Sequence, residues 1–112
     1  MGITPEGKIK KKLDAMLKEF APELWFYSPQ SGIYGRSGVP DRIACYFGRF
    51  YGIECKADKT KQITDLQAQC ISKIVQAGGY AITVYDDNSI NELRTHLIAM
   101  KTRERLRLDD NE

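Results

Sequence analysis

The chain contains three cysteines and a single histidine, too few to build a soft-metal centre or a disulfide scaffold. Cys45, Cys55 and Cys70 are odd in number and match no zinc or disulfide spacing. Each falls inside an apolar strand or helix pattern, so they read as buried thiols in a reducing cytosol. His96 has no other ligand type nearby in sequence and reads as structural or exposed. No apolar run approaches the ~18 residues of a membrane span, and the N-terminus is Lys-rich where a signal peptide would be apolar. A soluble cytoplasmic protein with no membrane partner is expected. The glycine-rich stretch Gly32–Gly38 is not followed by Gly-Lys-Ser/Thr, which excludes a Walker-type nucleotide cofactor site, and there are no internal repeats.

The remaining composition is ordinary for one globular domain. At 112 residues, 42% hydrophobic and 29% charged, the chain is long enough for a modest core. The net charge of +2 understates its basic character. Three acids sit in Asp109-Asp110-Asn111-Glu112, and without them 17 basic residues face 12 acidic ones, a balance of +5. A mildly basic body suits a polyanion. Residues 1–100 are expected to form the single domain and residues 101–112 a charged, frayed or disordered tail.

The informative stretch runs from Val39 to Lys56. Ile43 to Phe47 and Phe50 to Lys56 are rich in β-branched and aromatic residues, with Gly48-Arg49 as a turn signal, which predicts a β-hairpin. With a two-residue loop Asp41 falls opposite Glu54 or Lys56. Alternation of side chains then puts Asp41, Glu54 and Lys56 on one face, with Ile43, Cys45, Phe50 and Gly52 farther along it. Two neighbouring carboxylates repel unless a cation lies between them. A hard divalent ion such as Mg²⁺, usually held by one or two carboxylates plus water and phosphate, meets that need. With a lysine beside it to position water or offset charge, the chemistry that fits is phosphodiester hydrolysis.

At these residues the sequence also resembles a known family. Pro40-Asp41, a hairpin, then Glu54-Cys55-Lys56 is the PD-(D/E)XK nuclease pattern. Gly38-Val39 before it, Gln67 at the start of the next helix and Gly78-Gly79 before the next strand are similar to its VRR-NUC branch, the virus-type replication-repair nucleases. The resemblance spans Pro5 to Tyr85. It implies a restriction-endonuclease-like α/β core, a four-stranded mixed sheet flanked by helices (αβββαβ plus a C-terminal helix). It further implies Mg²⁺ or Mn²⁺ held by Asp41, Glu54 and the Cys55 backbone carbonyl, with Lys56 orienting or activating the attacking water. The short standalone, phage-type members imply a homodimer acting on branched or duplex DNA in the cytoplasm of an infected host. Structure-directed cleavage is favoured over a sequence-specific restriction endonuclease, because the chain has little room for groove-reading insertions. A catalytically silent DNA-binding module is the alternative from another class; it has no need of paired carboxylates.

Several residues carry two readings. Thr4-Pro5-Glu6 opens a helix whose apolar face is Ile9, Leu13, Met16, Leu17 and Phe20. Glu6 is either a favourable acid in a helix first turn or, as the resemblance implies, a further metal-site carboxylate. On the same helix Lys8, Lys10, Lys11, Lys12 and Lys18 form a solvated face or a DNA-backbone contact. Tyr34 and Arg36, in the loop before Asp41, are either solvated or placed to stack on a base and reach a phosphate. Lys59 and Lys61 follow the site strand in a plausible phosphate-facing connection. Thr64-Asp65-Leu66-Gln67 is a capping box, which alone accounts for Gln67; the resemblance instead puts Gln67 in the site. That helix should run to Ala77, burying Leu66, Cys70, Ile71, Ile74 and Val75, with Gly78-Gly79 as its left-handed cap. Tyr80 to Tyr85 is then a strand reached by a right-handed parallel crossover, and Ser89-Ile90-Asn91-Glu92 a second capping box.

Overall fold

The computed structural model describes residues 2–30 and 38–110. Tyr34 and Arg36 lie outside the described residues. Seven elements follow in the order α1 (Pro5–Lys18), β1 (Leu24–Tyr27), β2 (Arg42–Tyr46), β3 (Arg49–Cys55), α2 (Asp65–Gln76), β4 (Tyr80–Val84) and α3 (Asp87–Asp110). The four strands form one sheet in sequence order, β1–β2–β3 antiparallel and β4 parallel to β3. This is the expected mixed sheet with its crossover through α2.

The hairpin loop is Phe47-Gly48, both at positive φ (51° and 77°). Two left-handed residues make the turn that matches strand twist. The unusual φ of Phe47 is offset by packing, since its ring lies 4.6 Å from that of Tyr46. Tyr46 pairs with Arg49 and Arg42 with Ile53, so the even loop extends the register to Asp41 beside Glu54, the first of the two alternatives open in the sequence.

One face of the sheet carries Ala44, Tyr46, Tyr51, Ile53 and Cys55, buried against Ile9, Leu13, Met16 and Leu17 of α1 and Ile90, Leu93, Leu97 and Met100 of α3. Burial of this continuous apolar layer is the main stabilising term of the fold. Its polar atoms find partners. Tyr46 Oη donates to the Leu97 carbonyl at 3.1 Å, and Tyr51 Oη lies 2.9 Å from His96 Nε2. His96 is thus structural, on the side of the sheet opposite the site strand face.

The other face is covered only in part. The side chain absent at Gly52 makes room for Pro40 and Ile74, whose atoms stand 2.8 and 2.9 Å from where a Cβ would be. Helix α2 rests mainly on β4, and Trp25 and Tyr27 of β1 and Cys45 of β2 are left exposed. The helix's predicted buried stripe is not buried either: no residue of α2 is, and Leu66 and Val75 are 52% and 57% exposed. A helix lying on the edge of a narrow sheet has neighbours along one flank only. Cys45 is exposed and Cys70 half-buried, so of the three free thiols only Cys55 is buried as expected.

The last helix also differs from expectation. It starts three residues earlier than the Ser89 capping box implies, because Asp86 is the cap: Ser89 N–H donates to Asp86 Oδ1 (2.7 Å), and Ser89 Oγ accepts from Asp86 N–H (3.1 Å). It continues through Asp110, where a frayed helix end or a disordered tail was expected. The buried stripe Ile90, Leu93, Leu97, Met100 ends on Glu104, a buried acid paired with Arg107 at 3.0 Å. A polar residue in a core position hid the last turns of the pattern.

Candidate active site

Three segments meet at one end of the sheet. Asp41 directly precedes β2, Glu54 lies at the end of β3 with Lys56 just beyond it, and Gln67 lies in the first turn of α2. Beyond the last rung of the hairpin, the Asp41 side chain takes the place of a main-chain acceptor: Cys55 N–H donates to its Oδ2 at 2.7 Å. One carboxylate oxygen is thereby fixed and Oδ1 is left toward the site. Glu54, in register beside it, is 4% exposed and hydrogen-bonds the Asp41 carboxyl. The Cys55 thiol points into the core on the opposite face, where burial first, then the charge of Asp41, pushes its pKa up to about 12. It is inert as a nucleophile.

Lys56 and Gln67 are tied together. Lys56 Nζ donates to Gln67 Oε1 at 2.9 Å, and the same oxygen accepts from Thr64 N–H at 2.8 Å. Thr64 Oγ1 in turn accepts from Gln67 N–H at 3.2 Å, completing the capping box. One amide oxygen thus caps the helix and also accepts from Lys56.

The N-terminal turns of α1 close the other side. Thr4 Oγ1 caps the helix by accepting from Gly7 N–H at 3.0 Å, which leaves Glu6 free to project. Lys10, one turn on, lies 3.3 Å from Glu6 Oε2 and 3.5 Å from Asp41 Oδ1. Sequence reasoning put Lys10 on the outer lysine face and missed it. The available signal was its i, i+4 spacing from Glu6, which places both on one helix face. Asp14, a further turn along, was also missed; it receives the Arg42 guanidinium at 2.7 and 3.0 Å. That pair anchors the start of β2 to α1, and Arg42 Nη1 also donates to the Asp41 carbonyl at 2.8 Å.

Lys8, Lys59 and Lys61 are exposed and stand outside the cluster. The hydrogen bonds from Ser89 hold the Asp86 pKa below the usual range, and the charge of Lys59 adds to that effect.

The electrostatics follow from this crowding. Burial pushes Glu54 up most, the hydrogen bond and negative charge of Asp41 add to it, and Lys56 opposes them. Asp41 feels burial too, but the hydrogen bond from Glu54, the Cys55 N–H and Lys10 outweigh it and hold its pKa below the usual range. Glu54 is thus raised and Asp41 lowered, as expected of two crowded carboxylates. Among the described residues no group of three His, Cys, Asp or Glu side chains is gathered to hold a metal. The donor set is two hard carboxylates with the Cys55 carbonyl at the same strand end, which fits a hard ion that completes its shell with water and phosphate.

No protein-family model matches the chain, and no curated protein does. A solved structure described as a VRR_NUC domain superposes with a TM-score of 0.72 at 20% identity, covering 83% of this chain and 97% of that one. A likeness at that identity is one of fold, and the chain has the fold of the VRR_NUC domain.

Proposed function

We propose that this chain is a metal-dependent DNA nuclease, using Mg²⁺ or Mn²⁺ to hydrolyse a phosphodiester bond. The observation that carries the reading is the convergence of Asp41, Glu54, Lys56 and Gln67 at the end of a VRR_NUC-like sheet. Asp41, Glu54 and the Cys55 backbone carbonyl would hold the metal, with Glu6 near enough through Lys10 to contribute. When bound, the ion supplies charge neutralisation and polarises the phosphodiester. The chain's own groups do the rest. Asp41 is kept from rotating by the Cys55 N–H, and Gln67 aims the Lys56 ammonium into the site, where it orients the attacking water. Attack forms the new P–O bond, the water gives up a proton, and the opposite P–O bond breaks with its oxygen taking a proton.

Branched DNA is the proposed substrate class and a homodimer the acting form. The exposed part of the sheet supports pairing: Trp25, 62% exposed, is in register with Cys45 and that with Phe50, 42% exposed, an apolar row across three strands. Uncovered apolar rows of this kind mark interaction surfaces.

The test is cleavage of labelled four-way junction, flap and linear duplex DNA with Mg²⁺, Mn²⁺ or EDTA. Wild type is compared with Glu54→Ala and Lys56→Ala. Metal-dependent cutting lost in both variants supports the nuclease reading, and preference for the junction or flap supports the substrate class. Binding of DNA without cutting under either metal overturns it in favour of a binding module.

A further inference from the structure

Lys10 is a cation at the site, of the same sign as a metal ion, whose position the proposed reaction does not use. Its ammonium lies between Glu6 Oε2 (3.3 Å) and Asp41 Oδ1 (3.5 Å). Asp41 Oδ2 is already committed to the Cys55 N–H at 2.7 Å, so Lys10 faces the carboxylate oxygen left for a metal. It is also only a third exposed, so the interaction is less screened than one between fully solvated charges. Lys56, the lysine of the Glu54-Cys55-Lys56 motif, is held elsewhere by Gln67. Two lysines thus flank the carboxylates from different elements, and only one is restrained by a neutral partner.

We propose that Lys10 is a resident counter-ion of the carboxylate site, which holds Asp41 and Glu6 together in the metal-free protein and must be displaced from Asp41 Oδ1 when a divalent ion binds. The metal-free site is then kept ordered without a cation from solution, and metal affinity is set lower than the carboxylates alone would give. On displacement the flexible four-carbon stem lets the ammonium swing out toward solvent. Lys10 is a positioning residue in this scheme. The inference rests on the metal-site reading above.

Mn²⁺ is the probe, added to the full chain and followed by loss of the free-ion electron paramagnetic resonance signal, with no DNA present. Wild type, Lys10→Met, Lys10→Gln, Lys10→Arg and Asp41→Asn are compared, each checked for folding by circular dichroism. Lys10→Met is expected to bind Mn²⁺ roughly three- to tenfold more tightly than wild type, as removal of an adjacent like charge implies. Lys10→Gln should follow it, Lys10→Arg should restore wild-type affinity, and Asp41→Asn should bind weakly. If wild type binds through Asp41 and neither neutral variant binds more tightly, the counter-ion role falls and the metal site stands. If neither wild type nor the Lys10 variants bind Mn²⁺, both fall together. A lysine that served only as the i, i+4 partner of Glu6 would leave the affinity unmoved.

Discussion

Gln67 Oε1 sits 2.9 Å from Lys56 Nζ and 2.8 Å from the backbone nitrogen of Thr64, so one amide oxygen joins a helix cap to the site lysine. The two roles separate by mutation. Thr64→Ala removes the hydroxyl that accepts from Gln67 N–H and leaves the Lys56 contact, whereas Gln67→Ala removes both the returning half of the box and the lysine's partner. Each should cost about 1 kcal/mol of stability in denaturant titration. Only Gln67→Ala should also lower kcat, by roughly tenfold or more, because Lys56 loses its fixed position. Equal activity loss in both variants would mean that the cap alone matters.

The Glu54 carboxyl makes a prediction about pH. Unfolded, it ionises near its ordinary 4.5; in the fold, burial first and then Asp41 raise it to about 9. Between those values the native chain holds a proton that the unfolded chain has released, so this group's contribution falls as pH rises through that window and levels off above it. Glu54→Gln removes the dependence. Its melting temperature should match wild type near pH 4 and exceed it at pH 8, with each kcal/mol worth roughly 4–8 °C in a domain near this size. The same substitution should abolish cleavage, since a site that crowds carboxylates for a metal does so at the expense of stability. Parallel melting curves across the range would show that Glu54 is ionised in the metal-free fold.

How much of this was legible follows from what each residue's position depends on. The convergence of Asp41 with Glu54 needed only strand alternation and an even loop, both local. The crossover through α2 needed only Gly78 and a β-prone run, and Gly78 does adopt a positive φ of 91°. Lys10 was not legible in the same way. Its role depends on how α1 lies against the sheet end, and a lysine on a lysine-rich helix carries no mark of which neighbour it meets. The exposure of α2 was hidden for the same reason, because an apolar stripe records what a helix can bury but not how wide a sheet it finds. The end of α3 was misread because Glu104 interrupts an apolar series that the structure continues.

Gly38 tests how tightly the approach to Asp41 is built. It has a φ of +86°, and a Cβ there would stand 2.6 Å from the Leu66 carbonyl oxygen and 2.9 Å from Leu66 Cβ. Gly38→Ala must therefore push the chain leading to Asp41 away from the first turn of α2, where Gln67 holds Lys56. Gly48 provides the control, with a φ of +77° and no atom within 4 Å of its would-be Cβ. Gly48→Ala should cost only the left-handed backbone strain, about 1 kcal/mol. Gly38→Ala should cost roughly 2–3 kcal/mol and reduce cleavage as well. Equal costs at the two positions would show that the contact with Leu66 yields freely.

The exposed row of Trp25, Cys45 and Phe50 leads to the last prediction. The Trp25 and Tyr27 rings stand 5.3 Å apart on the outer face of β1, both more than two-fifths exposed, and among the described residues no helix crosses them. Burying such rings against a second copy removes apolar area from water at about 25 cal/mol per Å², and a two-fold axis lets the same row serve both subunits. Light scattering should give twice the mass of the 12.8 kDa chain for wild type and the single mass for Trp25→Lys, which sets two like charges across the axis. Because the row lies away from Asp41 and Glu54, Trp25→Lys should keep Mn²⁺ binding while losing paired incision of a four-way junction. A monomeric wild type would rule out the pairing and leave the aromatic row as a contact for some other partner.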